Sequence, residues 1–366
     1  MKKMLVFVLG FVVSSFPSGS GFALDRNFDI VKQLTQGPGN VTVTSDGRII
    51  MSQHQFYEPK ASVVELRADG VTAPFPNSEM NDREHPGHLS LDSVLGLRSD
   101  NGVVWLLDNG MRSGVTPKLV AWDTTTNKSP RVIYLQPPIA PKDAFVNDFA
   151  IDGRHKKIFI ADPASGANAA LIVVDIATGV ARRVLEGHRS VVPENVDLVI
   201  DGRPIQVKNS NGQLVRPHIG VNPITEDLEN EWVYFGPMHG LSLYRVKAED
   251  LANESIDAPT LASRVERYSA KPICDGISID KDKNIYLGDL ADNAIGVIKP
   301  DRSYQQLAKS VQLSWVDSFS FGKGGRLFAV VNQLHRSAAL TAGDNASNPP
   351  YFLVEVKALA EGLPGR

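Results

Sequence analysis

The sequence predicts an all-β protein folded as a six-bladed β-propeller, and three observations support this prediction. From residue 27 onward, short runs rich in Val, Ile, Leu and Phe alternate with turns made of Asp, Gly and Asn. No stretch of this region keeps the 3.6-residue apolar period of an amphipathic helix. A unit of strand, polar turn and strand recurs six times, which is typical of a propeller.

Each of the six copies is followed by a third apolar strand, and most are followed by a short fourth strand such as 180–185. A blade of four antiparallel strands cannot bury both faces alone, so the six blades must close into a ring. An irregular β-sandwich or a pair of β domains is the alternative that the strand pattern leaves open. The six copies begin at Val41, Val94, Asp148, Ile219, Gly276 and Ser318.

Two further segments complete the predicted ring. Residues 28–34 form a spare strand before the first copy, and we expect this strand to pair with the C-terminal blade and fasten the ring. Residues 187–217 lengthen the spacing between the third and fourth copies and contain a hairpin signal of their own. We interpret this segment as an excursion over one face of the ring.

The N-terminus has the pattern of a secretory signal peptide. Lys2 and Lys3 precede an apolar run over residues 4–16, and small residues flank a cleavage site after Ala23. A buried N-terminal strand or helix is the alternative. The pattern predicts that residues 1–23 are removed and that residues 24–366 form one exported propeller domain, periplasmic or extracellular. The apolar run is too short to span a membrane.

The amino-acid composition argues against a nucleic-acid partner and excludes an internal disulfide. The chain has 366 residues, of which 42% are hydrophobic and 22% charged, values that are ordinary for a globular protein. Its 38 Lys and Arg against 41 Asp and Glu give a net charge of −3, which argues against a nucleic-acid partner. The single cysteine excludes an intramolecular disulfide. We expect a monomer that binds a small molecule.

The start of each first strand is the predicted place for chemistry, because these positions surround the central channel at one mouth. In most copies a side chain with a carboxylate, amide or imidazole group stands there. Each of these side chains could instead serve only to cap a turn through a hydrogen bond to the backbone. We expect Asp275 to act as anionic anchor or general base and His218 as a proton carrier. Oxygen atoms of Asn147 and Asp275 would suit Ca²⁺. The predicted ligand-binding residues are Asn147, Asp148, Asp317 and Asn332.

Other reactive side chains give weaker signals. The remaining histidines, among them His54, His239 and His335, lack metal-ligand spacing, and we expect most of them to be exposed. Cys274 adjoins Asp275 but has no histidine neighbour in sequence, so we interpret it as a packed core residue.

Specific strand motifs stand at residues 97–110, 145–152, 158–162, 234–238, 243–246 and 327–334. Through these motifs the chain resembles the major royal jelly protein/Yellow family over nearly all of residues 24–366. The resemblance implies a secreted six-bladed propeller. Insect members include pigmentation proteins linked to dopachrome conversion, nutritive jelly proteins and salivary binders of biogenic amines. Insect members usually carry disulfides, and this chain differs in having one cysteine.

A more distant resemblance is to the gluconolactonase/regucalcin propellers, which hydrolyse sugar lactones with a divalent cation. Their ligands, Glu, Asn, Asn and Asp, stand at successive strand starts. Residues 147–148 resemble the family's Asn-Asp element, and residues 275–276 resemble its Asp-Gly element. The family's glutamate position falls at residues 39–40, which are Gly-Asn and contain no glutamate. The remaining asparagine position falls at residues 217–218, which are Pro-His and contain no asparagine.

Three hypotheses about function follow. The first is a Yellow-like protein that binds a small aromatic, amine or sugar-derived ligand in its channel, with or without a tautomerase activity. The second is a lactonase-like hydrolase that depends on a divalent cation such as Ca²⁺. The third is a propeller that serves as a protein-interaction platform.

Overall fold

The structure is a computed structural model that describes residues 27–87, 89–209 and 211–366. The predicted signal peptide, residues 1–23, lies outside these residues. Within them, six four-stranded antiparallel sheets form the six predicted blades. Two short helices, α1 (Ala248–Ala252) and α2 (Ala258–Ser263), connect strands of blade four. No helix in this described part of the chain is long and apolar enough to cross a bilayer.

The first three blades follow one another along the chain. Blade one contains β2 (Pro38–Val43), β3 (Ile49–Gln53), β4 (Val63–Leu66) and β5 (Thr72–Pro74). Blade two contains β6 (Val94–Asp100), β7 (Val103–Asp108), β8 (Lys118–Asp123) and β9 (Lys128–Tyr134). Blade three contains β10 (Phe149–Asp152), β11 (Lys157–Asp162), β12 (Ala170–Asp175) and β13 (Ala181–Val184).

Blades four to six follow the excursion. Blade four contains β18 (Val221–Glu226), β19 (Trp232–Pro237), β20 (Ser242–Lys247) and β21 (Glu266–Ala270). Blade five contains β22 (Ile277–Ile279), β23 (Ile285–Asp289), β24 (Ala294–Ile298) and β25 (Tyr304–Lys309). Blade six contains β26 (Val316–Phe321), β27 (Leu327–Val331), β28 (Tyr351–Val356) and β1 (Phe28–Leu34). Short 3-10 helices lie at Gln55–Tyr57, Val311–Leu313, Lys323–Gly325, Leu334–Arg336 and Ala338–Leu340.

The N-terminal strand closes the ring, as the sequence predicts. β1 pairs antiparallel with β28, from Phe28 opposite Val356 to Leu34 opposite Tyr351. The outermost strand of blade six therefore comes from the opposite end of the described chain. This pairing joins blade six to the segment that leads into blade one.

The core lies between the blades. Each of the six interfaces between neighbouring blades holds its own cluster of buried aliphatic and aromatic side chains. Blades one and two, for example, enclose Ile50, Phe75, Leu97 and Leu106, and each of these side chains is at most 1% exposed. Removing this apolar surface from water is the main term that holds the ring together.

The first strand of every blade lines the channel. At the junction of blades six and one, the hydroxyl groups of Ser318 and Ser320 accept hydrogen bonds of 3.0 Å from the amides of Val41 and Val43. The six first strands begin at one face of the ring, which we call the upper face, and end at the lower face. Residues at the same position in different first strands therefore meet around the channel.

The excursion at residues 187–217 lies over the upper face. It contains two small hairpins, β14 (Val199–Ile200) with β15 (Arg203–Pro204) and β16 (Val207–Lys208) with β17 (Leu214–Val215). Leu198, Ile200 and Ile205 of this segment are buried in a cluster with Trp315 and Leu340. We call residues 187–217 the lid.

Candidate functional site

A cavity of about 230 Å³ opens at the upper mouth of the channel, beneath the lid. Four residues that the sequence analysis assigned to one mouth line it together: Asn147, His218, Asp275 and Asp317. Phe56, Phe145, Met238, Leu334 and Leu340 form apolar parts of the wall. The cavity therefore combines acidic groups with an apolar lining, and its volume suits a small ligand that contains one aromatic ring.

The carboxylate of Asp275 lies at the centre of this wall. One oxygen, Oδ1, accepts a 2.5 Å hydrogen bond from the Asn222 amide, and Oδ2 accepts a 2.8 Å bond from the indole Nε1–H of Trp315. Burial raises the pKa of Asp275 to about 7, although both of these donors oppose the rise, and the charge of Asp148 adds to it. The group therefore changes its charge near neutral pH.

Asp317 provides a second carboxylate. Its Oδ2 accepts a 2.5 Å hydrogen bond from Asn332, and the Asn332 amide also donates to the Pro38 carbonyl oxygen at 2.9 Å. Burial raises the pKa of Asp317 well above its ordinary value, and the charges of Asp275 and Asp148 raise it further. Asn332 is fully buried behind Asp317, so its contact is with that carboxylate rather than with the cavity wall.

A third carboxylate, Asp148, lies deeper in the channel and is paired. Arg98 donates to Oδ2 at 3.0 Å, and Asn40 donates to Oδ1 at 3.4 Å. Asp148 is 3% exposed and Arg98 is 4% exposed. Burial raises the pKa of Asp148, and the neighbouring guanidinium opposes that rise. The upper part of the channel thus holds three carboxyl groups, Asp148, Asp275 and Asp317, against the buried guanidinium of Arg98.

The structure corrects the position of His218. The sequence analysis placed it at the start of the first strand of blade four, but β18 begins at Val221, and Asn222 occupies the channel position. His218 lies at the rim, where its Nε2 is 3.2 Å from Oδ1 of Asp197 in the lid. The contact joins the lid to the mouth.

The expectation that most other histidines are exposed is wrong for three of them. His54, His239 and His335 are 5%, 2% and 8% exposed. His54 also lines the cavity, and its Nδ1 accepts a hydrogen bond of 3.2 Å from the Phe56 amide. Burial lowers the pKa of His54 to about 3, so the ring is neutral and carries its proton on Nε2.

Local bulges occur at three channel positions, and one of them explains why the sequence placed His218 where the structure has Asn222. The pairing register of the first strand shifts between Val221 and Ile224, between Pro38 and Val41, and between Val316 and Ser318. Asn222, Asn40 and Asp317 lie within these three shifts. A β-bulge re-aims a side chain relative to the alternation of the strand, which a search for strand starts does not detect.

The residues of the same region offer few free ligands for a metal ion. Asn147, Asn222 and Asp275 offer oxygen atoms, but both Asp275 oxygens already accept N–H bonds. Asn40 stands at the predicted glutamate position and accepts a 3.2 Å bond from Arg98, a cation that disfavours a second cation nearby. Over the described ranges, no group of three or more His, Cys, Asp or Glu residues could hold a metal ion. This set does not fit the Glu, Asn, Asn and Asp ligands of the lactonase resemblance.

Comparisons with known proteins agree with the fold and the family resemblance. The model of the family described as Major royal jelly protein matches residues 93–363. No curated protein matches the chain.

Several solved structures share the fold. A luciferin-regenerating enzyme is 11% identical with a TM-score of 0.58, over 92% of this chain and 97% of that one. A gluconolactonase of Xanthomonas campestris is 9% identical with a TM-score of 0.55, over 90% and 89%. Virginiamycin B lyase of Staphylococcus aureus is 13% identical with a TM-score of 0.50, over 91% and 100%. At such identities the likeness shows the fold alone.

Proposed function

The chain belongs to the major royal jelly protein family, and from this premise we propose that its upper channel mouth binds a small organic cation with an aromatic or apolar body. The observation that supports this proposal most is the charge balance of the channel. Asp148, Asp275 and Asp317 are gathered there with Arg98 as their buried counter-charge. A cationic ligand would relieve the repulsion between the carboxylates that remain unpaired.

The apolar wall supports an aromatic or aliphatic body for this ligand. Phe56 and Phe145 line the cavity, and the faces of aromatic rings attract ammonium groups as well as apolar surface. The neutral His54 ring offers an N–H donor to an oxygen atom of the ligand. An aromatic amine that also carries a hydroxyl or carbonyl group matches all three features.

A thermal-shift screen of the purified protein tests this proposal. The probes are catecholamines, their neutral alcohol analogues, sugar lactones and Ca²⁺. A ligand present at 100 times its Kd stabilises the folded state by about 2.7 kcal/mol, so a true ligand raises the Tm measurably. The proposal expects the amines to raise the Tm and the neutral analogues to fail. A screen in which no small molecule stabilises the protein would instead favour the interaction-platform hypothesis.

A tautomerase activity is a second candidate, favoured by the two adjacent carboxyl groups with raised pKa values. Asp275 is partly ionised at neutral pH and can accept a proton, and Asp317, whose pKa burial raises well above its ordinary value, can donate one from its protonated form. A tautomerisation needs one such acceptor and one such donor. The two transfers leave the substrate isomerised, Asp275 protonated and Asp317 ionised, and proton exchange with water then restores both groups. Following the conversion of an aminochrome by absorbance, with Asp275→Asn as the inactive variant, tests this candidate.

The lactonase hypothesis would need a divalent cation, which would supply Lewis-acid chemistry when bound. The mismatch of the donor set weighs against it, and we derive no step through such an ion. Metal analysis of the purified protein, together with the Ca²⁺ arm of the screen, decides the matter. A stoichiometric ion, or a large Ca²⁺ stabilisation that Asp275→Asn abolishes, would favour the hydrolase over the amine binder.

Export and a monomeric state complete the proposal. The pattern of residues 1–23 supports removal of a signal peptide, and the mature chain would then begin at Leu24. N-terminal sequencing of the protein recovered from the cell exterior or periplasm tests the cleavage. Light scattering of the same sample tests the monomer.

A further inference from the structure

The lower end of the channel is covered by the chain itself. Residues 359–366, which we call the tail, follow β28 and cross this end, opposite the candidate site. The Gly365 carbonyl oxygen accepts hydrogen bonds from the Thr42 hydroxyl at 3.2 Å and from the Ser99 amide at 3.3 Å. The Gly365 amide donates to the Phe321 carbonyl oxygen at 2.9 Å. One residue of the tail thus contacts blades one, two and six.

The remaining three blades are contacted by the residues on either side. The Lys281 amide of blade five donates to the Glu361 carbonyl oxygen at 2.8 Å. Nη2 of Arg366 donates to the Ile151 carbonyl oxygen of blade three at 3.1 Å, and Nη1 donates to the Asp227 carbonyl oxygen beside β18 of blade four at 3.3 Å. The tail therefore bonds to all six blades.

The fit around the tail is close. Gly365 has a φ of +92°, and a Cβ at this position would lie 2.1 Å from the Ser99 carbonyl oxygen. A Cβ at Gly362 would lie 2.2 Å from the Phe321 ring. Any side chain at either glycine would force the tail away from the ring, because the obstacles are a backbone atom and a fully buried aromatic ring.

A buried acidic side chain also faces the tail, and it is protonated at neutral pH. Glu226, at the lower end of β18, is 1% exposed and both of its carboxylate oxygens lack a hydrogen-bond partner. Burial and the charge of Asp152 raise the pKa of Glu226 to about 9, and the Arg366 guanidinium opposes that rise. The space between the tail, Glu226 and Arg98 is about 10 Å³, room for no more than about one water molecule.

We propose that residues 359–366 form a plug that fastens all six blades at the lower end of the channel and leaves the channel with a single entrance, at the lid. Ring closure then has two independent devices. β1 completes the outer edge of one blade. The plug instead bonds to the first strands of blades one, two, three and six and to the turns that follow the first strands of blades four and five. A ligand of the upper cavity can then enter and leave only from the upper face.

Chemical labelling tests this proposal. The parent variant combines Ser99→Cys, beneath the plug, with Cys274→Ser, which removes the single native thiol. A charged methanethiosulfonate reagent should label the introduced thiol slowly in the parent and at least tenfold faster when Gly365→Val is added. Leu363→Ala, at a 41% exposed position of the tail, is the matched control and should label as slowly as the parent. Rapid labelling of the parent, or unchanged labelling with Gly365→Val, would overturn the plug.

A milder variant covers the case in which Gly365→Val does not fold. Arg366→Ala removes the bonds to Ile151 and Asp227 and leaves the tail backbone unchanged. Hydrogen exchange should accelerate at the amides of Ser99, Lys281 and Phe321, which lie in three different blades and donate to the tail. Exchange that stays at the wild-type rate at all three amides would contradict the proposal.

Discussion

The indole Nε1–H of Trp315 donates a 2.8 Å hydrogen bond to Oδ2 of Asp275. The Trp315 backbone has a φ of +63°, in the left-handed region. Left-handed backbone is unfavourable for a bulky residue and persists only where the surroundings impose it. The Trp315 side chain is 1% exposed, packs beneath the lid and stacks on His335. The strained residue thus connects the lid to the carboxylate at the centre of the cavity.

Trp315→Phe should change the ionisation of Asp275 more than it changes the fold. The substitution keeps an aromatic ring but removes a donor that favours the charged carboxylate, so the pKa of Asp275 should rise above about 7. The free energy of unfolding should fall by about 1–3 kcal/mol. Carboxyl NMR titration and urea unfolding measure the two effects. Trp122→Phe, at a buried position of blade two, should leave the titration of Asp275 unchanged.

Affinity for an organic cation should increase with pH. An alkylammonium group keeps its charge to about pH 9, whereas Asp275 loses its proton near pH 7. If binding needs the ionised carboxylate, affinity should rise about tenfold between pH 6 and pH 8. Isothermal titration calorimetry at both pH values provides the measurement. A neutral aromatic alcohol is the control ligand, and an equal rise for that alcohol would refute the role of Asp275.

Asp317→Asn should stabilise the protein at alkaline pH. An unfolded aspartate loses its proton near its ordinary pKa of 3.8, but the folded protein retains the Asp317 proton to higher pH. The unfolded state therefore binds fewer protons, and the free energy of unfolding of the wild type falls as pH rises. The variant lacks this loss and should be more stable than wild type at pH 8, with the difference vanishing near pH 4. Asp197→Asn should show the opposite sign, because Arg216 lowers the pKa of Asp197.

Packing of the lid should control ligand exchange. Ile200 is 2% exposed in the cluster that contains Trp315 and Leu340, so Ile200→Ala weakens the closed lid by about 2 kcal/mol or more. We expect association and dissociation rates of a cationic ligand in stopped-flow experiments to increase several-fold. Val199→Ala changes the neighbouring residue, which is 42% exposed, and should leave both rates as they are. Equal rates in the two variants would mean that the lid does not gate the cavity.

The fold was predictable because its signals are local and repeated. Asp-Gly and Asn-Gly turns between apolar strands recur in the copies, and the Asn101-Gly102 turn has both φ values positive, as a tight hairpin requires. The spare strand at Phe28–Leu34 could be assigned to the last blade because an open ring would leave an unpaired edge.

The candidate site was predictable only in part. Asn147, Asp275 and Asp317 could be placed at one mouth from their positions at strand starts. The sequence did not predict Asn222, because a bulge in β18 brings this residue to the channel. It did not predict Arg98, because this side chain reaches the channel from the middle of β6 rather than from its start. Burial of His54 and the contacts of the tail depend on segments distant in sequence, which strand patterns do not reveal.

The claim that carboxylates at the channel mouth recognise an organic cation can be checked by calorimetry with 2-phenylethylammonium. The wild type should bind this amine at pH 8 and should bind 2-phenylethanol at least tenfold more weakly. Asp275→Asn should reduce the affinity for the amine at least tenfold and leave the alcohol unaffected. Equal binding of amine and alcohol, or an amine affinity that Asp275→Asn does not change, would contradict the claim.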